Sequence, residues 1–165
     1  MNGRAKNDLK TDLAGTVAGQ ILTQILLEEI REKEGGTYGI TASAGLQDFP
    51  KPVSYMQIVY QTDPEKYEYL NSRVEQIISD FVQNGSSDEA LNKTKEYLLK
   101  TYQENLRENS YHASILREYL ETGVDMMTGY EAAVKAVTVK DAQEYVKNIL
   151  SQNNTSKVVM NGIKK

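Results

Sequence analysis

Arg31-Glu32-Lys33-Glu34-Gly35-Gly36-Thr37-Tyr38 is the stretch from which the fold can be read. Upstream of it Leu9, Leu13, Val17, Ile21 and Ile25 recur at every fourth position, which predicts a helix over about Asp8 to Lys33. The second half of that helix (Ile21, Leu22, Ile25, Leu26, Leu27, Ile30) is apolar round most of its circumference and should be buried on several sides. Downstream, Tyr38, Ile40, Ala42 and Ala44 alternate with Thr37, Gly39, Thr41 and Ser43, the period of a strand over Thr37 to Gly45. Gly35-Gly36 supplies the left-handed backbone commonly needed just past a helix end. The junction therefore sets Arg31 on the last helical turn and Tyr38 at the strand's entry. A guanidinium with five donors and a phenol are suited to holding the carbonyl oxygens of a peptide. The plainer reading makes Arg31 a helix C-cap and Tyr38 ordinary strand packing, and spacing alone favours it.

Ala14-Gly15 and Ala18-Gly19 form a small-residue patch that lets the first helix approach a sheet or another helix closely. Gln47 to Pro52 reads as a loop, and a second strand follows from Val53 to about Thr62, antiparallel to the first in the simplest arrangement. Small side chains in the first strand leave backbone open to an extended peptide, or else are small because a helix packs there. Asp63 is placed to cap a helix with Pro64 at its first position; Tyr67, Leu70, Val74, Ile77, Ile78 and Phe81 form its apolar stripe, ending at Asn84-Gly85. Ser86 and Glu89 suggest a capping box for a helix over about Ser87 to Glu108. Asn109 or Ser110 restarts a helix carrying Ile115, Leu116, Tyr119 and Leu120 up to Gly123, and a short one follows near Gly129 to Ala136. Thr138 and Asp141 open the last, and Lys157 to Asn161 reads as a final strand that joins the earlier pair. Helix, two strands, several helices and a strand make an α/β (α+β) two-layer sandwich.

At 165 residues, 39% hydrophobic and 25% charged, the chain suits one domain. A net charge of −4 argues against a nucleic-acid role, and no apolar run is long enough to span a membrane. Eleven tyrosines against two phenylalanines and no tryptophan fit peptide recognition and half-buried packing equally. One histidine and no cysteine exclude disulfides, thiolate catalysis and any metal site with two His or Cys ligands from one copy. His112 is expected at a helix surface near an N-cap. Neither a nucleophile elbow nor a phosphate loop occurs, and Glu28/Glu29 and Asp88/Glu89, adjacent in sequence, do not share a helix face.

The stretch Leu27 to Tyr38, with Arg31 and Tyr38 seven apart across a glycine turn, resembles the C-terminal, metal-free half of pitrilysin/insulinase-type (M16) zinc peptidases. The resemblance continues through Thr62-Asp63-Pro64-Glu65, Asn109-Ser110-Tyr111, Val137-Thr138-Val139-Lys140-Asp141 and Lys157-Val158-Val159-Met160. It covers nearly everything from Leu9 to Gly162 and is similar above all to the bacterial PqqL-like branch. It implies a LuxS/mitochondrial-processing-peptidase-like metallohydrolase fold over residues 8–162, lacking its first strand, behind a frayed or disordered N-terminal segment 1–7 and before a tail 163–165. It further implies a segment of a longer precursor, periplasmic or secreted. By the same resemblance Tyr38 hydrogen-bonds the scissile carbonyl or its oxyanion and Arg31 holds a neighbouring carbonyl of a peptide substrate. The resemblance further implies that this chain binds no cofactor and that Zn²⁺ sits in a homologous M16 half, in the same or another chain, that carries His-x-x-Glu-His. An inactive interaction or assembly subunit of the family, and a small α/β binding module acting alone, are the competing readings.

Overall fold

The computed structural model describes residues 1–47 and 51–160. Among them, strands β1 (Asn2–Gly3), β2 (Ile40–Gln47) and β3 (Val53–Tyr60) form an antiparallel sheet in the order β1-β3-β2. β2 and β3 pair from Ile40 opposite Tyr60 to Gln47 opposite Val53. The helices are α1 (Leu9–Leu26), α2 (Tyr67–Asn84), α3 (Asp88–Asn105), α4 (Asn109–Thr122), α5 (Tyr130–Ala136) and α6 (Val139–Ser151). The result is the expected α+β architecture, a helical layer on a small antiparallel sheet.

α1 is the centre of that layer. Asp8 caps it by accepting the Thr11 N–H at 2.8 Å. Val17, Ala18, Ile21, Leu22 and Leu26 are completely buried, because the helix touches β2, α2, α3, α5 and α6. A helix apolar on all sides has to be surrounded. Its glycines set the distance to β2: a Cβ on Gly19 would lie 2.9 Å from the Ala44 nitrogen, and one on Gly15 would lie 2.8 Å from the Gly45 Cα. One turn beyond Gly19, the Thr23 hydroxyl accepts the Ala42 N–H at 2.9 Å and faces the Gly19 and Ala42 carbonyls at 2.9 and 3.0 Å. The small side chains of β2 thus serve helix packing, and its backbone at Ala42 is taken by Thr23 in place of an extended peptide. At the far end of the strand the Tyr145 hydroxyl from α6 bridges Gly45 and the Tyr55 carbonyl, at 3.1 Å from the Gly45 nitrogen and 3.0 Å from the Tyr55 oxygen. α6 opens at Thr138 and Asp141 as expected, and the two form a capping box.

Several elements depart from the sequence expectation. The first helix does not run to Lys33 as an α-helix; it widens into a π-helical segment, Leu27–Lys33. β2 begins only at Ile40; before it the chain bends at Tyr38, where the Thr37 side chain binds the Gly39 backbone and the Gln61 carbonyl past β3. Asp63 does not cap α2. Residues 64–66 form a turn closed by the Lys66 N–H on the Asp63 carbonyl at 3.0 Å, and the helix starts after it. Ser87, not Ser86, caps α3 by accepting the Ala90 N–H at 3.2 Å, and that helix stops at Asn105. Asn2–Gly3 pairs with Ser54 and Tyr55, so the beginning of the expected frayed segment is a short edge strand. Residues 157–160 are irregular and exposed where the sequence predicts a strand; Asn161, with the rest of the expected tail, and most of the loop after Gln47 lie outside the described residues.

Candidate peptide-binding site

The π-helical segment carries Arg31. Such segments are rare and concentrate at functional sites, since they hold an extra residue per turn and re-aim the side chains that follow. Ile30 within it stays fully buried, whereas Arg31 is about half exposed, with its Nε 3.1 Å from the Glu32 carboxylate. Lys33 lies between Glu29 at 2.6 Å and Glu28 at 3.2 Å, and these carboxylates, Glu29 first, hold its ammonium above the usual lysine range. Exposed pairs of this kind contribute little stability; they fix where the charges point.

Past Lys33 the backbone turns at Gly35 with φ +57°, a left-handed conformation natural to glycine. The turn is tied at almost every other residue. Arg73 of α2 donates from Nε to the Glu34 carboxylate at 2.8 Å. The Gly36 N–H reaches back to the Ile30 carbonyl at 3.0 Å, and the Thr62 hydroxyl donates to the Gly36 carbonyl at 2.9 Å. Gly36 also sits on Leu70, whose Cδ2 would lie 2.6 Å from a Cβ there, so a larger residue would have to displace that side chain. Thr37 is buried; its hydroxyl faces the carbonyls of Gln61 and Gly39 and accepts the Gly39 N–H at 3.2 Å.

In the middle of this tied segment Tyr38 is 96% exposed. Ile40, Ala42 and Ala44, which share its phase in the sequence alternation, are all buried. Ordinary strand packing does not describe a tyrosine placed this way. The structure brings Arg31 and Tyr38 onto one short stretch between α1 and β2, both facing solvent. The Arg31 guanidinium is engaged by Glu32 and not by the Tyr38 phenol. What the pair can do is donate: a planar fork and a phenolic O–H, both accessible, suit acceptor oxygens on an extended chain.

The sequence holds a single histidine, His112. His112 is exposed at the start of α4, its Nε2 3.0 Å from the Leu106 carbonyl, and there is no second histidine or any cysteine. Among the described residues no three His, Asp or Glu side chains group as metal ligands, and no helix is long and apolar enough to cross a membrane.

α4 carries apolar side chains on an open face. Its apolar residues imply burial, yet no residue of the helix is buried, and Leu116, Tyr119 and Leu120 are exposed. An open cleft of about 530 Å³ runs beside it, lined by Tyr102, Ile115, Leu116, Tyr119 and Met126. Periodicity reveals an apolar stripe but not what covers it.

The sequence profile of the peptidase M16 inactive domain matches residues 1–98. The chain belongs to the peptidase M16 family. Solved structures agree on the fold. The periplasmic protease PqqL from Escherichia coli superposes with a TM-score of 0.73 at 22% identity, over 90% of this chain and 17% of that one. A peptidase M16 inactive domain from Pseudomonas fluorescens gives 0.69 at 20% identity, over 83% and 34%. A protease from Helicobacter pylori gives 0.69 at 17% identity, over 90% and 37%. This M16 domain therefore spans less than two fifths of each of these chains. No curated protein sequence matches it.

Proposed function

We propose that this M16 domain is the substrate-binding, metal-free portion of a zinc peptidase, and that it helps complete the active site of a homologous half that holds the zinc. The observation that carries the reading is the complete exposure of Tyr38 on a turn whose neighbours are tied down, with Arg31 exposed just before it. A tyrosine with no packing role has its hydroxyl free for a ligand. In the proposed complex the Tyr38 O–H donates to the carbonyl oxygen of the scissile peptide bond, and the Arg31 fork holds a neighbouring carbonyl. A donor aimed where negative charge develops lowers the barrier more than it strengthens ground-state binding.

The test uses this chain together with a zinc-bearing M16 half from the same source. Tyr38→Phe keeps the ring and removes one hydroxyl. It should lower kcat by about a hundredfold with KM less affected, and leave the melting temperature where it was. Normal turnover by Tyr38→Phe overturns the reading. A second reading, an inactive assembly subunit, draws on the uncovered apolar face of α4. It expects tight association with the zinc-bearing half and no kinetic effect of Tyr38→Phe.

A further inference from the structure

Thr37 is one of three polar residues buried among the described residues, and it immediately precedes the exposed Tyr38. Its hydroxyl faces two carbonyls, Gly39 at 2.9 Å and Gln61 just past the end of β3, and also accepts the Gly39 N–H. A hydroxyl has one proton and two lone pairs, so the two carbonyls share the proton while the Gly39 amide occupies a lone pair. The contact therefore spans Tyr38 on both sides: it holds the residue after it and fastens the residue before it to the neighbouring strand. Glu34, Gly36 and Thr37 are tied to α2, to Ile30 and to the segment after β3, and Tyr38 is the side chain that this framework leaves in solvent.

We infer that Thr37 is a positioning residue: its hydroxyl fixes the backbone of Tyr38 and with it the point and direction from which the phenol leaves the chain. The inference rests on the function proposed for Tyr38 and adds how that donor is held without any packing of its own ring. Preorganisation of this kind matters because a donor displaced by about an ångström can cost about a hundredfold in rate.

The test compares Thr37→Val, which keeps the shape and removes the hydroxyl, with Thr37→Ser, which keeps the hydroxyl. Both are made in the chain complemented by its zinc-bearing half, in the native and in the Tyr38→Phe background. Thr37→Val should lower kcat by roughly tenfold or more with a smaller change in KM, and Thr37→Ser should stay within about twofold of native. In the Tyr38→Phe background Thr37→Val should add less than about twofold, because the hydroxyl that it positions is already gone. An equal loss in both backgrounds, or a lowered melting temperature with native kcat, makes Thr37 merely structural and overturns the inference. Amide exchange on the chain by itself gives a readout independent of turnover. Thr37→Val should speed exchange at Gly39 at least about tenfold while amides of α1 exchange as before. Unchanged exchange at Gly39 overturns the inference whatever the kinetics. Faster exchange with native turnover in Tyr38→Phe supports Thr37 as the staple of this turn and overturns the function proposed for the tyrosine.

Discussion

Replacing Gly19 by alanine tests the central packing of the molecule, because two effects of opposite sign meet there. In a helix interior Gly→Ala stabilises by about 1 kcal/mol through propensity. Against that, the new Cβ would lie 2.9 Å from the Ala44 nitrogen and 3.2 Å from the Ala42 oxygen, both backbone atoms of β2 that cannot rotate aside. Relief requires α1 and β2 to separate by about half an ångström at this point, an overpacking strain that typically costs about 1–3 kcal/mol. The same separation stretches the bonds from Thr23 to the Ala42 N–H and C=O, now 2.9 and 3.0 Å, to the edge of hydrogen-bonding distance. Strain less propensity leaves a net loss of up to about 2 kcal/mol, which in a domain of this size lowers the melting temperature by up to roughly 8 °C. Thermal melts followed by circular dichroism would measure it, with Gly39→Ala as control, since a Cβ there has nothing within 4 Å. Amide exchange at Ala42 should speed up in Gly19→Ala. A variant that melts above the native temperature would show that α1 does not rest on the backbone of β2.

Other outcomes follow from single contacts. Tyr145→Phe removes the hydroxyl that bridges Gly45 and Tyr55 and should cost about 1–3 kcal/mol, because buried backbone groups lose their partner; melting within a degree of native would refute the bridge. Asp141 is partly buried, which by itself would raise its pKa, but the Thr138 hydroxyl, then Lys10 and the Thr138 N–H, bring the carboxyl below the usual range. A depressed folded-state pKa gives stability that is present above the unfolded value, about 3.9, and is lost as pH falls through the folded one. Asp141→Asn should therefore be less stable than native by about 1 kcal/mol near neutrality, with the gap closing below about pH 4; a gap that stays constant in melts down to pH 2 would refute it.

Much of the fold can be read locally. The Thr138–Asp141 capping box, the Gly123 stop after α4 and the Gly15/Gly19 patch each act within one turn or on one helix face, and the structure realises them. Arg31 and Tyr38 stand out for the same reason: the turn between them is written in two glycines. The misreadings arise where distant residues decide. Nothing in the composition of Leu27–Lys33 marks it as a π-helix, because the wider turn is a matter of how its ends are tied. Thr37 reads as the first residue of β2, and only Gln61, on the far side of the hairpin, makes it a tether. Its one local signal is a hydroxyl beside a turn, where threonine commonly bonds nearby backbone.

The π-helical segment makes the relation between the two exposed side chains a matter of chain count. An α-helix advances about 100° per residue, so deleting one residue between Leu27 and Ile30 would swing Arg31 about the axis by roughly that angle relative to α1. Tyr38 would not follow, because it is anchored from the β3 side through Thr37. Insertions and deletions at this one place can therefore re-aim the guanidinium in discrete steps while the phenol keeps its address. Each such step would also move Ile30, fully buried here, so the guanidinium cannot be re-aimed without repacking the core beneath it.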